Sequence, residues 1–264
     1  MKKVIGYIFN EANLCRDEKS FLKISKKYNV ELKMMNTAKD IDEERIKETF
    51  KDCEIIYNSS VDDLLSLEVV KTIEALGKKV IDPSKIYYNA EDKWLFFVKC
   101  QKNKIPVPET ILLSENISIA KKELKEFSRW PVVLKRVHGT MGEYVDKADN
   151  LKQAERIIKK FWKKGSERIP IIAQEFIKSP SYRVMMIGDK IVQTALKQAK
   201  GWKVTGTHFI KTDFKKFEID PNLEKISKKV SKITGIKICG IDFAKKEGRW
   251  IVIEVNSQPA FDFF

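Results

Sequence analysis

Several features that mark particular classes of protein are missing from this chain of 264 residues. Its four cysteines are scattered and form no Cys-x-x-Cys pair, which argues against both a zinc site and a disulfide framework. No apolar run approaches the roughly 18–20 residues that a membrane span needs. No Gly-x-Gly-x-x-Gly follows the first apolar segment, so dinucleotide binding of the usual kind is not expected.

The chain also lacks a complete export signal at its start. Met1-Lys2-Lys3 is basic, but the apolar segment Val4–Phe9 is too short and is followed at once by Asn10 and Glu11. We therefore expect a cytoplasmic protein with reduced thiols and no attachment to a membrane.

Acidic residues are fewer than basic ones: the chain has 37 acidic and 51 basic residues, which gives a formal net charge of +14. Such an excess suits a nucleic acid, an acidic small molecule or phosphate groups. The lysines are spread along most of the predicted helices, with no dense basic block interleaved with aromatics, so a nucleic-acid partner is not favoured. The sequence leaves the oligomeric state open, a homo-oligomer included.

Strands alternate with helices over the first part of the chain, which predicts βαβ units and a parallel sheet. The predicted strands are Val4–Phe9, Val30–Met35, Cys53–Tyr57 and Lys79–Ile81. The helices between them are Asp17–Tyr28, Ile41–Phe50 with Asp40 as its N-cap, and Val61–Leu76. Breaks in the pattern near residues 88 and 170 predict three lobes, 1–88, 89–170 and 171–264.

The middle of the chain mixes helices with strands, and its last part is rich in strands. The predicted helices are Ala90–Gln101, Ile119–Phe127 with Ser118 as its N-cap, Asn150–Trp162, and Asp220–Ile233. The predicted strands are Val132–Lys135, Ile171–Ile177, Tyr182–Ile187 and Lys190–Lys197. The two prolines of Ile105–Pro108 predict an extended connector.

The end of the chain predicts a β-hairpin with oxygen ligands on one face. A three-residue turn, Lys246–Gly248, would pair Lys245 with Arg249 and set Asp242 opposite Val252. Side chains alternate with period two, so one face would carry Asp242, Val252, Glu254 and Asn256, and the other face would carry Ile251, Ile253 and Val255 into a core.

The carboxylates of Asp242 and Glu254 and the amide oxygen of Asn256 suit Mg²⁺, a hard ion that takes oxygen ligands. Acidic residues on one strand face are also often only solvated. The apolar residues that flank these three favour a position in a cleft, and the hairpin by itself leaves both interpretations open.

A series of segments in a fixed order resembles the ATP-grasp superfamily, and most closely the RimK-like amino-acid ligases. The series consists of Ala90–Lys93, Ile105–Thr110, Pro131–Lys135, the glycine loop Gly139–Gly142, Gln174–Ile177 and the terminal hairpin. It covers essentially the whole chain. The resemblance implies an ATP-grasp fold with an N-terminal parallel α/β lobe, a small central α+β lobe, and a C-terminal α+β lobe whose sheet is mainly antiparallel.

The resemblance also implies roles for individual residues. Lys135 and Lys93 would neutralise nucleotide phosphates, and Gly139, Thr140, Met141 and Gly142 would fold over the triphosphate. The adenine hinge would comprise Gln174, Glu175, Phe176 and Ile177. Arg183 would lie near the phosphates or the acyl phosphate, although a salt bridge on the sheet is an open alternative. Mg²⁺, or Mn²⁺ in its place, would be held by Asp242, Glu254 and Asn256.

The chain departs from the family pattern at several positions. Lys197 stands where these ligases usually carry an arginine, and we assign it a catalytic role beside Arg183. The loop after it, Gly201–Phe209, lacks the family's Asn and Arg, which His208, Lys203 or Lys211 could replace. His138 could also line the site. The chain ends at Phe264, where relatives usually continue with another helix.

The resemblance implies an ATP- and Mg²⁺-dependent carboxylate–amine ligase. A carboxylate would take the γ-phosphate to give an acyl phosphate and ADP, and an amine would then displace phosphate to form an amide. The substrates would be small and acidic, with an amino acid joined to a small molecule, a coenzyme or a peptide. The lost Asn and Arg leave a catalytically degenerate ATP-binding protein and a small-molecule kinase as alternatives.

Overall fold

The computed structural model describes residues 2–10, 13–39, 41–60, 64–139, 142–163, 168–198, 201–202, 213–257 and 259. Within these ranges the strands form three separate sheets, one parallel and two antiparallel. None of the helices in the described part of the chain combines the length and the apolar character that crossing a membrane requires.

The first sheet is parallel, as the alternation of strands and helices predicts. Its strands are β1 (Lys3–Phe9), β2 (Val30–Asn36), β3 (Ile55–Asn58) and β4 (Val80–Ile81), in the order β2-β1-β3-β4. Its helices are α1 (Arg16–Lys27), α2 (Glu43–Phe50) and α3 (Leu64–Ala75). A Cβ on Gly6 would lie 2.6 Å from Ile56 and 2.8 Å from Phe50, so glycine permits this close packing.

The N-cap of α2 corrects one prediction. Asp42 caps the helix, because its side chain accepts a hydrogen bond from the backbone N–H of Arg45. Asp40, the predicted cap, lies outside the described residues. Both carboxylates precede the same apolar pattern, and Asp42 stands next to the first helical residue, within reach of the free N–H groups.

Two helices, not one, follow the first sheet. The predicted helix Ala90–Gln101 is wrong at its start, because α4 (Ser84–Glu91) ends there and α5 (Lys93–Lys102) begins after Asp92. Asp92 has an extended backbone and accepts a hydrogen bond from the N–H of Leu95, as an N-cap does. The cap breaks the apolar pattern and makes Lys93 the first residue of α5.

The second sheet has the order β5-β8-β6-β7 and is antiparallel. Its elements are β5 (Thr110–Leu113), α6 (Ile117–Phe127), β6 (Val132–Arg136), β7 (Val145–Ala148), α7 (Leu151–Lys163) and β8 (Ile171–Glu175). Strands β5 and β7, of four residues each, were not predicted from the sequence. The cap of α6 is Asn116, not the predicted Ser118, because the Asn116 side chain accepts from the N–H of Ser118 and of Ile119.

One face of the second sheet is covered by its helices. Val132, Leu134 and Ala173 pack there with residues of α6 and α7. The alternate residues Val133, Lys135 and Gln174 are buried as well, yet they lie outside this apolar cluster. Because strand side chains alternate, this second set occupies the opposite face of the sheet.

The third sheet has the order β11-β10-β9-β12-β13 and is antiparallel. Its elements are β9 (Ser181–Ile187), β10 (Lys190–Gln198), β11 (Asp213–Lys215), α8 (Pro221–Thr234), β12 (Ile238–Lys246) and β13 (Arg249–Ser257). Asp220 caps α8, proline opens it, and Gly235 ends it at a φ of 77°. Val184, Ile241, Phe243 and Val252 form an apolar core with α8.

The register of the terminal hairpin differs from the prediction in two ways. The turn has two residues, Glu247 and Gly248, both with positive φ, so Lys246 pairs with Arg249. A bulge at Ile253 then shifts the ladder, so Asp242 faces Glu254 and Phe243 faces Val252. Because of these two offsets Asp242 still shares a face with Glu254, as predicted, whereas Val252 does not.

The bulge also changes which residues enter the core. Val252 packs in the apolar core with Phe243 and Trp250, on the face opposite the one predicted for it. Val255 enters the core as predicted, whereas Ile251 and Ile253 are only partly buried. Glu254 and Asn256 are two positions apart on β13 and therefore share a face, and Asp242 lies on the same face because it pairs directly with Glu254.

Candidate active site

An ion pair on the third sheet is the centre of the site. Asp242 on β12 pairs across the ladder with Arg183 on β9. Asp242 Oδ1 accepts from Arg183 Nε at 2.7 Å, and Oδ2 accepts from Nη2 at 2.6 Å. Lys197 Nζ lies 3.8 Å from Oδ1. The side chains are 0%, 11% and 3% exposed for Asp242, Arg183 and Lys197, so water screens these charges little.

The pKa directions follow from this arrangement. Burial opposes ionisation of Asp242, but Arg183 and Lys197 outweigh it and hold the carboxyl pKa below its usual range. Burial likewise lowers the pKa of Lys197, and Asp242 only partly restores it. Burial acts against the charge of Arg183, but Asp242 more than offsets it and raises the guanidinium pKa. Asp242 and Arg183 therefore form an ionised, closely held pair, with Lys197 beside it.

Lys135, on the second sheet, lies near the ion pair of the third sheet. It lies at the end region of β6, on the face turned away from the helices, and is 5% exposed. Burial lowers the pKa of its ammonium group, while the carboxylates of Glu254 and Asp242 act in the opposite direction and Lys93 reinforces the lowering. The free face of the second sheet therefore lies towards Asp242 and Glu254, and the ion pair between Lys246 and Glu175 joins the two sheets, which line one cleft.

The proposed metal ligands lie together on β12 and β13. Asp242 and Glu254 are directly opposite each other, and Asn256 Nδ2 lies 3.5 Å from Asp242 Oδ2 and 3.4 Å from the Gly240 carbonyl. Two carboxylates and an amide oxygen fit a hard cation such as Mg²⁺. The described residues contain no group of three or more His, Cys, Asp or Glu arranged for a metal, so this mixed set is the candidate.

Lys93 is held beside the glycine loop. Its Nζ donates to the Gly139 carbonyl at 2.6 Å, and its backbone N–H donates to the Val137 carbonyl at 3.1 Å. Gly139 has a φ of 144° and Gly142 a φ of 69°, conformations that favour glycine. Thr140 and Met141 lie outside the described residues. One end of the glycine loop therefore lies at Lys93, whose charge also acts on Lys135.

The predicted hinge residues have different partners. The Gln174 side chain is buried and donates to Thr110 Oγ1 at 3.0 Å. Glu175 Oε2 lies 2.7 Å from Lys246 Nζ. The Phe176 N–H donates to the Pro131 carbonyl at 3.1 Å. In the described part of the chain nothing accepts from the Ile177 N–H, so this group can serve an incoming base.

His138, which was also named from the sequence, lies near the N-cap of α5. His138 Nε2 lies 4.0 Å from Asp92 Oδ2, and its side chain is 42% exposed. Lys203, His208 and Lys211 lie outside the described residues.

Sequence reasoning missed three residues that shape the site. Asp92 fixes the start of α5 and so the position of Lys93, and a carboxylate before an apolar run was the available signal. Lys246 ties the hairpin to Glu175, which no local pattern indicates. Ser181 is buried opposite Lys197, and its Oγ has no hydrogen-bond partner among the described residues. Such an orphaned group on the face of Arg183 is suited to a ligand.

Two antiparallel sheets that carry buried cations and the opposed carboxylates of Asp242 and Glu254 are the arrangement of an ATP-grasp fold. The comparison with solved structures agrees. A RimK domain ATP-grasp protein from Sphaerobacter thermophilus is similar with a TM-score of 0.78 and 16% sequence identity, over 97% of this chain and 92% of that one. The family model of the RimK-like ATP-grasp domain matches residues 90–264, and the chain belongs to this family.

Curated relatives are similar at lower coverage. A probable alpha-L-glutamate ligase from Cellvibrio japonicus is 26% identical over 74% of this chain and 65% of its own length. A coenzyme gamma-F420-2:alpha-L-glutamate ligase from Methanococcus maripaludis is 26% identical over 74% of this chain and 68% of its own length. The chain thus spans about two thirds of the curated relatives that it matches.

Proposed function

We propose that this protein is an ATP-dependent carboxylate–amine ligase that forms an amide through an acyl phosphate. The observation that supports this most strongly is the buried cluster in which Arg183 and Lys197 surround Asp242, with Lys135 facing it from the neighbouring sheet. Three basic side chains of low exposure in one site favour a polyphosphate ligand over a neutral one. The names of the relatives agree with this chemistry.

Each residue of the site has a role in this proposal. Lys135 and Lys93 bind phosphate oxygens, and the glycine loop Gly139–Gly142 covers them. The hinge Gln174–Ile177 receives adenine through the backbone of Phe176 and Ile177, with the N–H of Ile177 as the donor and the carbonyls as acceptors. The lobes that supply these parts are proposed to be 1–88, 89–170 and 171–264.

The metal ligands in the proposal are Asp242, Glu254 and Asn256. When bound there, Mg²⁺ supplies charge neutralisation and orientation of the phosphates, and Mn²⁺ shares its preference for oxygen ligands. The three side chains contribute two negative charges and one neutral oxygen.

The proposed reaction needs no nucleophilic side chain. A substrate carboxylate oxygen attacks the γ-phosphorus, the bond to the β–γ bridging oxygen breaks, and ADP leaves. An amine then attacks the acyl carbon, loses a proton, and phosphate leaves as the amide forms. Arg183 and Lys197 hold the oxygens that carry negative charge in both steps, and burial excludes water that would hydrolyse the acyl phosphate.

The substrates are proposed to be small and acidic, with L-glutamate as the first amino acid to test. The relatives are named as glutamate ligases, and the net charge of +14 suits acidic substrates. The proposal places the reaction in the cytoplasm, where ATP is present.

Trapping the activated carboxylate tests this function without knowledge of the natural amine. The protein is incubated with ATP, Mg²⁺, hydroxylamine and a panel of carboxylates that includes glutamate and peptides ending in glutamate. We expect a hydroxamate in equal amount to ADP, and transfer of one ¹⁸O from a labelled carboxylate to the released phosphate. L-Glutamate then replaces hydroxylamine as the amine.

Two outcomes would contradict the proposal. ADP release with a stable phosphorylated product and no hydroxamate would identify a kinase. Nucleotide binding without turnover on any substrate would identify a nucleotide-binding protein. Lys135→Met serves as the inactive control, and Lys159→Met, on the exposed face of α7, as the matched active one.

A further inference from the structure

We propose that Arg183 gates the metal site: it occupies the Asp242 carboxylate in the nucleotide-free protein, and nucleotide phosphates must draw it away before a divalent cation binds. This inference rests on the proposed nucleotide site, but it does not depend on amide formation. It adds to Arg183 a second role, as a positioning residue that controls access to a metal ligand.

The geometry of the pair supports the gate. Both oxygens of Asp242 accept hydrogen bonds from Arg183, at 2.7 and 2.6 Å, and the carboxylate is 0% exposed. A two-bond contact between guanidinium and carboxylate is among the strongest side-chain interactions. Asn256 Nδ2 also lies 3.5 Å from Oδ2. Asp242 therefore offers little room to a cation while Arg183 stays in place.

The neighbouring lysines also oppose the entry of a divalent cation into the nucleotide-free site. Lys197 lies 3.8 Å from Asp242 Oδ1, and Lys135 interacts with Asp242 from the facing sheet. A divalent cation that enters alone meets these like charges. It would also leave a buried guanidinium without its carboxylate, which is an unfavourable state.

A nucleotide changes this balance. Its phosphates carry negative charge to Arg183, Lys197 and Lys135, so each cation gains a partner that replaces Asp242. The Asp242 oxygens would then be free to hold a divalent cation. Metal and nucleotide should therefore bind with positive coupling, and the coupling should be reciprocal.

Binding of Mn²⁺ alone tests the gate. The amplitude of the free-ion EPR signal is measured during titration of nucleotide-free wild type, Arg183→Gln and Lys197→Gln. We expect Arg183→Gln to bind Mn²⁺ at least about tenfold more tightly than wild type, within the usual range of coupling between sites. Lys197→Gln is the matched control, because it removes the same charge without freeing an oxygen, and should have a smaller effect.

The Mn²⁺ site that Arg183→Gln gains must also involve Asp242, the proposed metal ligand. Asp242→Asn in the Arg183→Gln background should abolish the gain in Mn²⁺ affinity. Equal Mn²⁺ affinity of wild type and Arg183→Gln would overturn the proposal. So would an equal gain in Lys197→Gln, since general charge would then explain the effect.

A measurement on wild type covers the case in which Arg183→Gln does not fold. The ¹⁵N resonance of Arg183 Nε is followed with Mg²⁺ alone, with the ATP analogue AMPPNP alone, and with both. We expect AMPPNP to shift the resonance and Mg²⁺ alone to leave it unchanged. A shift with Mg²⁺ alone as large as that with AMPPNP would overturn the gate. Hydroxamate formation together with that result would leave the ligase proposal standing.

Discussion

Lys246 Nζ lies 2.7 Å from Glu175 Oε2, and this ion pair joins the turn of the terminal hairpin to the end of β8. Glu175 also accepts a hydrogen bond from the backbone N–H of Glu109 at 3.3 Å. The pair therefore links the sheet that carries Lys135 to the sheet that carries Arg183. It fixes the spacing of the cleft at the end where the hinge lies.

Replacing Lys246 tests whether this link matters. Lys246→Gln should lower the free energy of unfolding by no more than about 1 kcal/mol, because the lysine is 40% exposed and solvent screens the pair. It should also weaken ATP binding, since the two sheets that line the cleft lose the ion pair that joins them. Urea unfolding and nucleotide titration measure both quantities. Arg249→Gln, from an exposed pair with Glu247 on the same hairpin, should change neither, and equal effects would contradict the role.

Arg183 and Lys197 should contribute unequally to stability. Arg183→Met should lower the free energy of unfolding by about 3–5 kcal/mol, because it leaves the buried Asp242 carboxylate without its hydrogen-bonded partner. Lys197→Met should lower it less, because Lys197 lies 3.8 Å away and burial already disfavours its charge. Urea unfolding of the nucleotide-free proteins compares them. A larger loss for Lys197→Met would contradict the assignment of the main pair.

Acid pH should reveal the ionised state of Asp242. Its pKa in the folded protein lies below the ordinary value of 3.8, so its contribution to stability is complete above that value and is lost as pH falls below it. Asp242→Asn should be less stable than wild type at pH 6, and the difference should shrink as pH falls below about 4. Urea unfolding across this pH range measures it. A difference that does not change with pH would contradict the account.

Lys135 should contribute to nucleotide binding and not to the stability of the nucleotide-free protein. Burial lowers its pKa because burying the charged ammonium group costs free energy, so Lys135→Met should keep or raise the free energy of unfolding. The same variant should lose the stabilisation that ATP gives to wild type. Unfolding with and without nucleotide measures this, with Lys159→Met as the exposed control. Strong destabilisation without nucleotide would show a structural role instead.

The sequence was sufficient for the features that depend on local pattern. The parallel first sheet follows from alternating strands and helices, and the ends of α8 follow from Asp220, Pro221 and Gly235. The grouping of Asp242 with Glu254 follows from the strand period, although the assumed turn was wrong and the bulge at Ile253 compensated for it.

Features that depend on non-local contacts were not predictable. The pairing of Arg183 with Asp242 requires β9 to lie beside β12, and these strands are far apart in the chain. The link from Lys246 to Glu175 likewise joins two sheets. The break at Asp92 was missed for another reason, because the apolar periodicity continues through it and only the cap interaction marks the new helix.

Thermal unfolding with and without ATP and Mg²⁺ tests the central claim most directly, with Glu254→Gln beside wild type and Glu247→Gln, in the exposed turn, as the control. At a ligand concentration about 100-fold above the dissociation constant, binding adds roughly 2.7 kcal/mol to the free energy of unfolding. We predict a Mg²⁺-dependent rise in Tm for wild type and Glu247→Gln that is much reduced in Glu254→Gln. No rise in wild type at millimolar nucleotide would contradict the nucleotide site, and the ligase proposal with it.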